Sequence, residues 1–155
     1  MKLFKALLIA SLLSLGTLYA DTVKVVYDLT TDNIDKIEKR LINSLVAVSK
    51  HYTREKKSLK AIVVISGNSY KYFVNDLKAS PYASDDDAVD MQAYFKLRFK
   101  DLHDVYGVTF NMCSSGMKAK KIQKHTLYEY VHAEKMKSVY LIDAQNDGYA
   151  YMPIH

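Results

Sequence analysis

Residues 61–65 read Ala-Ile-Val-Val-Ile and are followed at once by Ser66, Gly67 and Asn68. The run is apolar at every position, whereas a strand with one face in water alternates apolar and polar side chains. A strand covered on both faces is typical of a parallel sheet with helices on either side. Serine, glycine and asparagine favour turns, so the strand ends at Ile65. This stretch predicts a central strand of an α/β fold.

The segments around this strand alternate between strand and helix patterns. Residues 23–29 are rich in β-branched and apolar side chains and predict the first strand. Two stripes with helical spacing follow the two strands: Ile34, Ile37, Leu41, Leu45 and Val48, then Tyr70, Phe73, Val74 and Leu77. Asp85–Asp87 predicts the start of a longer helix that Gly107 ends, because the helix dipole favours acids at N-termini. Metal binding by these aspartates is the alternative.

The last third of the chain gives shorter patterns. Residues 108–112 predict a third strand, and Thr126–Glu129 has the capping-box spacing of a helix start. Residues 139–142 predict a fourth strand and residues 149–152 a last one. The order of elements predicts a single three-layer α/β domain. Its central sheet is mostly parallel, with about five strands, and helices lie on both faces.

The N-terminus has the organisation of a secretion signal. Lys2 and Lys5 precede the apolar run 6–15, and Ala20 is a small residue before the expected cut. The run is shorter than the roughly 20 residues that a membrane span needs, although a signal-anchor is the alternative. The sequence therefore predicts a signal peptide at residues 1–20, a domain at 21–155, and a periplasmic or otherwise exported protein without stable membrane insertion.

Charge and motifs exclude several classes of protein. Loss of Lys2 and Lys5 would take the 22 basic residues to 20 against 17 acidic ones, a formal charge of +3. Such a mixed surface, on an exported chain, argues against nucleic-acid binding. The sequence contains neither a G-x-G-x-x-G motif nor a P-loop, and its five histidines lack zinc-site spacing. We therefore expect no cofactor and no bound metal.

The single cysteine, Cys113, directly follows the predicted third strand. Ligands and chemistry collect at the carboxyl ends of strands in open parallel sheets, so Cys113 lies where such a fold places its site. Backbone N–H groups in a strand-to-helix turn, with help from nearby lysines such as Lys118, would lower the thiol pKa. The alternative is an inert buried side chain, since free cysteine is among the most buried residue types.

Other candidate binding residues surround the same predicted edge. They are Gly67 and Asn68 after the central strand, Ser114, Ser115, Gly116 and Lys118 after Cys113, and His125 as a possible proton-transfer group. A soft copper(I) site formed by Met112, Cys113 and Met117 is a further alternative, although packing explains the methionines more simply. Tyr149 and Tyr151 either line a pocket shared between subunits or pack as a tail.

The chain resembles the DsrE/DsrF-like family. The resemblance rests on the strand 61–65 with Ser66-Gly67, on the strand that leads into Cys113, and on the ending 147–153, Asp-Gly-Tyr-Ala-Tyr-Met-Pro. It implies a compact α/β domain related to sulfur-relay subunits, which assemble as trimers or hexamers. It further implies that Cys113 corresponds to the cysteine that carries sulfur as a persulfide in active members.

Three hypotheses follow. In the first, this is an exported sulfur carrier, sulfurtransferase-like, that holds sulfane sulfur on Cys113 and passes it to the thiol of a donor or acceptor partner. In the second, a homo-oligomeric module binds a soft metal or small ligand without turnover and Cys113 is structural. In the third, the chain is a structural subunit with an inert cysteine. We favour the first.

Overall fold

The structure, a computed structural model, describes residues 21–155, and the predicted signal peptide lies outside them. This part of the chain contains five strands: β1 (Thr22–Leu29), β2 (Ser58–Ile65), β3 (Thr109–Met112), β4 (Val131–His132) and β5 (Ala150–Ile154). They form one sheet in the order β4-β3-β2-β1-β5, and every neighbouring pair is parallel. The predicted α/β fold is confirmed, with a sheet that is parallel throughout rather than mostly.

The helices fill the connections between the strands. They are α1 (Ile34–Lys36), which continues through a π-helical segment (Ile37–Asn43) into α2 (Ser44–Arg54), then α3 (Asp86–Asp104), α4 (Ser114–Ala119) and α5 (Lys137–Asn146). Two 3₁₀ turns cover Ser69–Phe73 and Lys124–Thr126. Within residues 21–155, none of these helices combines the length and the apolar character that crossing a membrane requires.

The two faces of the sheet are covered unequally. The first face carries α1 to α4 and the main core, to which β1 contributes Val25, Tyr27 and Leu29. The second face carries α5, whose Ala144 packs against Val26 and Val64. Right-handed crossovers explain the arrangement: the chain steps from β1 to β4 over the first face and returns over the second face to place β5 beside β1.

A stack of aromatic rings holds the long helix α3 against the turn after β2. The rings of Phe73 and Phe99 are parallel, with centroids 4.4 Å apart, and Phe95 stacks on Phe99 at 5.2 Å. All three side chains are fully buried. This packing fixes the 3₁₀ turn Ser69–Phe73, and thereby the direction of the side chains of Tyr70 and Lys71.

Two predicted elements in the last third are wrong. Residues 139–142 lie in α5, not in a strand, because Tyr140 and Ala144 bury one helical face on the sheet, and a short apolar run does not distinguish strand from helix. Thr126–Glu129 does not start a helix. Instead Leu127 forms an antiparallel bridge with Val74 and the chain proceeds into β4, the true fourth strand. Tertiary packing here overrides the capping pattern.

Candidate functional site

Cys113 lies at the carboxyl end of β3 and is the N-cap residue of α4. Its amide donates to the carbonyl of Ile65 at 2.9 Å, which ties it to the end of β2. The chain after β3 turns to the first face of the sheet, whereas the chain after β4 turns to the second. Neighbouring loops that diverge in this way open a crevice where ligands bind in open parallel sheets. Cys113 occupies that position.

Three groups contact Cys113 directly, two at its sulfur and one at its backbone carbonyl. The amide of Lys137, the first residue of α5, donates to Sγ at 3.2 Å. The hydroxyl of Ser115 lies 3.2 Å from Sγ. The hydroxyl of Tyr70 donates to the carbonyl oxygen of Cys113 at 3.1 Å. The loops after β2, β3 and β4 therefore converge on one cysteine.

These contacts favour the thiolate. Burial raises the pKa of Cys113, but hydrogen bonds from Ser115, the backbone and Tyr70 outweigh it and lower the pKa to about 7. The amide of Gly116 takes part in the lowering, although it forms no capping hydrogen bond with the sulfur. Neutral donors are the main cause, and they include backbone amides of the kind predicted from the sequence. The nearby lysine charges, which were expected to help, are not among the leading causes. A thiol with this pKa is substantially ionised at neutral pH.

Gly116 is required by the position of Tyr70. A Cβ atom on Gly116 would lie 2.0 Å from the Tyr70 hydroxyl and 2.8 Å from Cζ of its ring. Tyr70 is 1% exposed, so its ring has little room to withdraw. Burial, followed by the contacts with Cys113, raises the pKa of this hydroxyl, which stays protonated and able to donate. The close approach of glycine and tyrosine holds the donor beside the cysteine.

The thiol has little contact with solvent. Cys113 is 7% exposed, and its side chain also borders the main core. Ser115, two residues after Cys113, is exposed, and Met136, which precedes Lys137, is 50% exposed. A reagent therefore reaches the sulfur only through the small exposed part of this side chain.

The structure brings together some of the sequence-predicted site residues and separates others. Ser115 and Gly116 act on the thiol, and the amide of Ser114 donates to the carbonyl of Lys135 at 3.0 Å, joining the loops after β3 and β4. Lys118 is exposed at the end of α4, and His125 is exposed in the second 3₁₀ turn without a contact to the thiol.

Gly67 and Asn68 belong to a different part of the same edge. Gly67 has φ +67°, and a Cβ there would lie 2.6 Å from the carbonyl oxygen of Thr30. The amide of Asn68 donates to the same oxygen at 2.9 Å. Both residues shape the turn that packs the end of β2 against the end of β1, and neither contacts Cys113.

Metal binding finds no support in the described residues. Within 21–155, no group of three or more His, Cys, Asp or Glu side chains is arranged to hold a metal ion. Met112 is fully buried and Met117 is 8% exposed, and both belong to the main core. Of the acidic run, Asp85 caps α3 by accepting a hydrogen bond from the amide of Ala88 at 2.9 Å.

Sequence reasoning missed Tyr70 and Lys137, which contact Cys113, and Asp28, which binds Lys137. Tyr70 read as a buried position of a short helix, and Lys137 lies beside a segment read as a strand. Asp28 is the last side chain of β1 that points to the second face of the sheet. Its carboxylate pairs with the ammonium of Lys137 at 2.9 Å and accepts a hydrogen bond from the Tyr151 hydroxyl at 2.9 Å. A carboxylate inside an apolar strand was the one available signal, because a buried charge requires a partner.

Comparisons with known proteins agree with this architecture. The sequence model of the DsrE/DsrF-like family matches residues 24–154. A solved structure, described as that of the protein of unknown function MTH1491 from Methanobacterium thermoautotrophicum, superimposes with a TM-score of 0.53 at 20% identity. It covers 84% of this chain and 98% of the other. No curated protein matches the chain. The chain belongs to the DsrE/DsrF-like family.

Proposed function

We propose that this protein carries sulfane sulfur on Cys113 and passes it to the thiol of a partner protein. The observation that carries the proposal is the convergence of donors on the sulfur, with a pKa lowered to about 7 at the carboxyl edge of the sheet. Membership of the DsrE/DsrF-like family supports the sulfur-relay part of the proposal.

The transfer needs no external oxidant. The Cys113 thiolate attacks the outer sulfur of a donor persulfide, a Cys113 S–S bond forms, the donor S–S bond breaks, and the donor leaves as a thiolate. In the second step the acceptor thiolate attacks the outer sulfur of the Cys113 persulfide. The Cys113 thiolate is then the leaving group, and a thiol of low pKa leaves faster. The donors that contact Sγ serve both steps.

We further propose that the protein is exported with a cut after Ala20, and that it assembles as a homo-oligomer, a trimer or hexamer. The signal-like N-terminus supports export. Exposed apolar side chains on α3 and β5, which include Leu97 at 62% and Met152 at 46%, are consistent with subunit contacts. The N-terminal residue of the secreted chain and its mass by light scattering test the two statements.

A structural cysteine in a non-catalytic binding module is the second candidate. The 7% exposure of Cys113 favours it, because a thiol closed to sulfur donors would only fill space. This candidate and the sulfur carrier predict opposite outcomes in a single experiment.

The experiment is intact-mass spectrometry of the native protein after incubation with polysulfide. A carrier gains about 32 Da, one sulfur atom, and the gain is absent from Cys113→Ser. The adduct disappears when a low-molecular-weight thiol is added, because the outer sulfur is passed on. A native protein that gains no mass and also resists iodoacetamide contains a structural cysteine, and the sulfur-carrier proposal is then wrong.

A further inference from the structure

Two charged side chains of strand β1 bind the two ends of helix α5. On the second face of the sheet, β1 presents Lys24, Val26 and Asp28 in alternation. Lys24 donates to the carbonyl oxygen of Asp147 at 2.8 Å, directly after α5, and pairs with the Asp147 carboxylate at 3.2 Å. Asp28 pairs with Lys137, the first residue of α5, at 2.9 Å.

The signs of these charges match the helix dipole. The acidic Asp28 lies near the N-terminus of α5 and the basic Lys24 near its C-terminus, which is the favourable orientation at each end. The lengths match as well. Four residues of β1 span about 13 Å and ten residues of α5 about 15 Å. We call these two contacts clamps: Lys24 with Asp147 at the C-terminal end of α5, and Asp28 with Lys137 at its N-terminal end.

Only one clamp reaches the thiol. The amide of Lys137 donates to Sγ of Cys113 at 3.2 Å, while the ammonium group of the same residue binds Asp28. Lys137 thus directs its charge away from the sulfur and its peptide N–H toward it. The clamp at Lys24 lies at the other end of α5 and contacts no residue of the site.

Asp28 is unusually well placed to anchor this end. Its side chain is 3% exposed, against 31% for Lys137. The Tyr151 hydroxyl fixes Oδ2 at 2.9 Å, and Oδ1 has no hydrogen-bond partner besides the ion pair with Lys137. A buried carboxylate with a single charged partner strongly opposes departure of that partner. Such a constraint on Lys137 also constrains its amide.

We propose that Asp28 is a positioning residue for Cys113: its carboxylate holds Lys137 so that the peptide N–H at the start of α5 stays on the sulfur. The inference deepens the proposed function, because it names what keeps the thiol of that site nucleophilic. It does not depend on the identity of the sulfur donor.

Two variants of the full chain form the matched experiment, Asp28→Asn and Lys24→Met. The pH dependence of iodoacetamide labelling gives the thiol pKa of each native protein. Asp28→Asn is expected to raise it by about one unit, because the thiolate loses a positioned donor. Lys24→Met loosens the far end of α5 and is expected to leave the thiol pKa unchanged. In the wild type the amide resonance of Lys137 is expected to follow thiol ionisation, because this N–H donates to the sulfur, and Asp28→Asn is expected to lose that response.

The sign of the shift separates positioning from simple electrostatics. If Asp28 acted only through its negative charge, its neutralisation would lower the thiol pKa, and a lowered or unchanged value overturns the inference. An equal rise in Lys24→Met overturns it as well. If Asp28→Asn fails to fold, Tyr151→Phe replaces it, with a smaller rise expected and no rise contradicting the inference. Because labelling involves no sulfur transfer, a protein that gains no mass with polysulfide but still reacts with iodoacetamide leaves this test intact. In a native protein that resists iodoacetamide, the pH dependence of the Lys137 amide resonance gives the thiol pKa instead, with the same outcomes.

Discussion

Tyr70 and Lys71 are neighbours in the chain, but their side chains belong to two different polar clusters. Tyr70 joins neutral donors around Cys113, a group without a fixed charge. Lys71, whose side chain is 8% exposed, has its charge matched by Asp85 and Asp87 at 3.2 Å and by Asp32 at 3.6 Å.

The difference separates a structural cluster from a reactive one. Burial lowers the pKa of Lys71, but the hydrogen bonds that its ammonium donates to the carboxylates of Asp87 and Asp85 outweigh it and raise the pKa, so the ammonium is permanent. Lys71 therefore keeps its proton at physiological pH, and the cluster stabilises the folded protein. Around Cys113, hydrogen bonds likewise favour the charged form of the group, but here the group is a thiol. They lower its pKa to about 7, so the thiol ionises within the physiological pH range.

The largest effect on stability is expected at the Lys71 cluster. Lys71→Met leaves Asp32, Asp85 and Asp87 close together without their cation, but these side chains are 42%, 32% and 61% exposed, so water screens their repulsion. We expect the free energy of unfolding to fall by about 2–3 kcal/mol, the upper part of the range for lost hydrogen bonds to charged groups. The thiol pKa should not change. Urea denaturation measures the first quantity and alkylation the second.

Lys39→Met is the control for this change. Lys39 pairs with Asp35 at 3.3 Å, but both side chains are about 70% exposed, at 70% and 73%. Its loss should cost less than about 0.5 kcal/mol. An equal fall in the free energy of unfolding in the two variants would show that the Lys71 cluster does not stabilise the fold more than an exposed ion pair does.

The next effect is a dependence of stability on pH. A group whose pKa is lower in the folded protein stabilises the fold above its unfolded pKa, and this stabilisation is lost as pH falls through the folded pKa. For Cys113 these limits are the ordinary value of 9.0 and about 7. Relative to Cys113→Ser, the free energy of unfolding of the wild type should therefore rise on the order of 2 kcal/mol as the pH increases from about 7 to 9. A difference that does not vary with pH would contradict the lowered pKa.

A smaller effect is expected for Tyr70→Phe, which removes one hydroxyl from the cysteine cluster and leaves Lys71 in place. We expect unfolding to become easier by about 1 kcal/mol, the net value of one hydrogen bond, with a rise in the thiol pKa. Tyr82→Phe is the matched control, because the Tyr82 hydroxyl is buried without a hydrogen-bond partner. Tyr82→Phe should be neutral or stabilising. The same thiol pKa in both tyrosine variants would remove Tyr70 from the site.

The sequence predicted the parts of the fold that local patterns encode. The run 61–65 is apolar at every position because both faces of β2 are covered, so it identified the parallel sheet, and Cys113 could be placed at a strand end. The segment 139–142 was misread because four apolar residues fit a helix as well as a strand. Asp28 and Lys137 meet only after folding, across most of the chain, and no local pattern pairs them.

The pH dependence of the native iodoacetamide reaction of Cys113 tests the central claim most directly. The reaction rate follows the thiolate, and we predict an inflection near pH 7 that is abolished by unfolding in urea. An inflection at about 8.5 or above, the range of an ordinary cysteine, would contradict the account. So would a thiol that is labelled only after the protein unfolds.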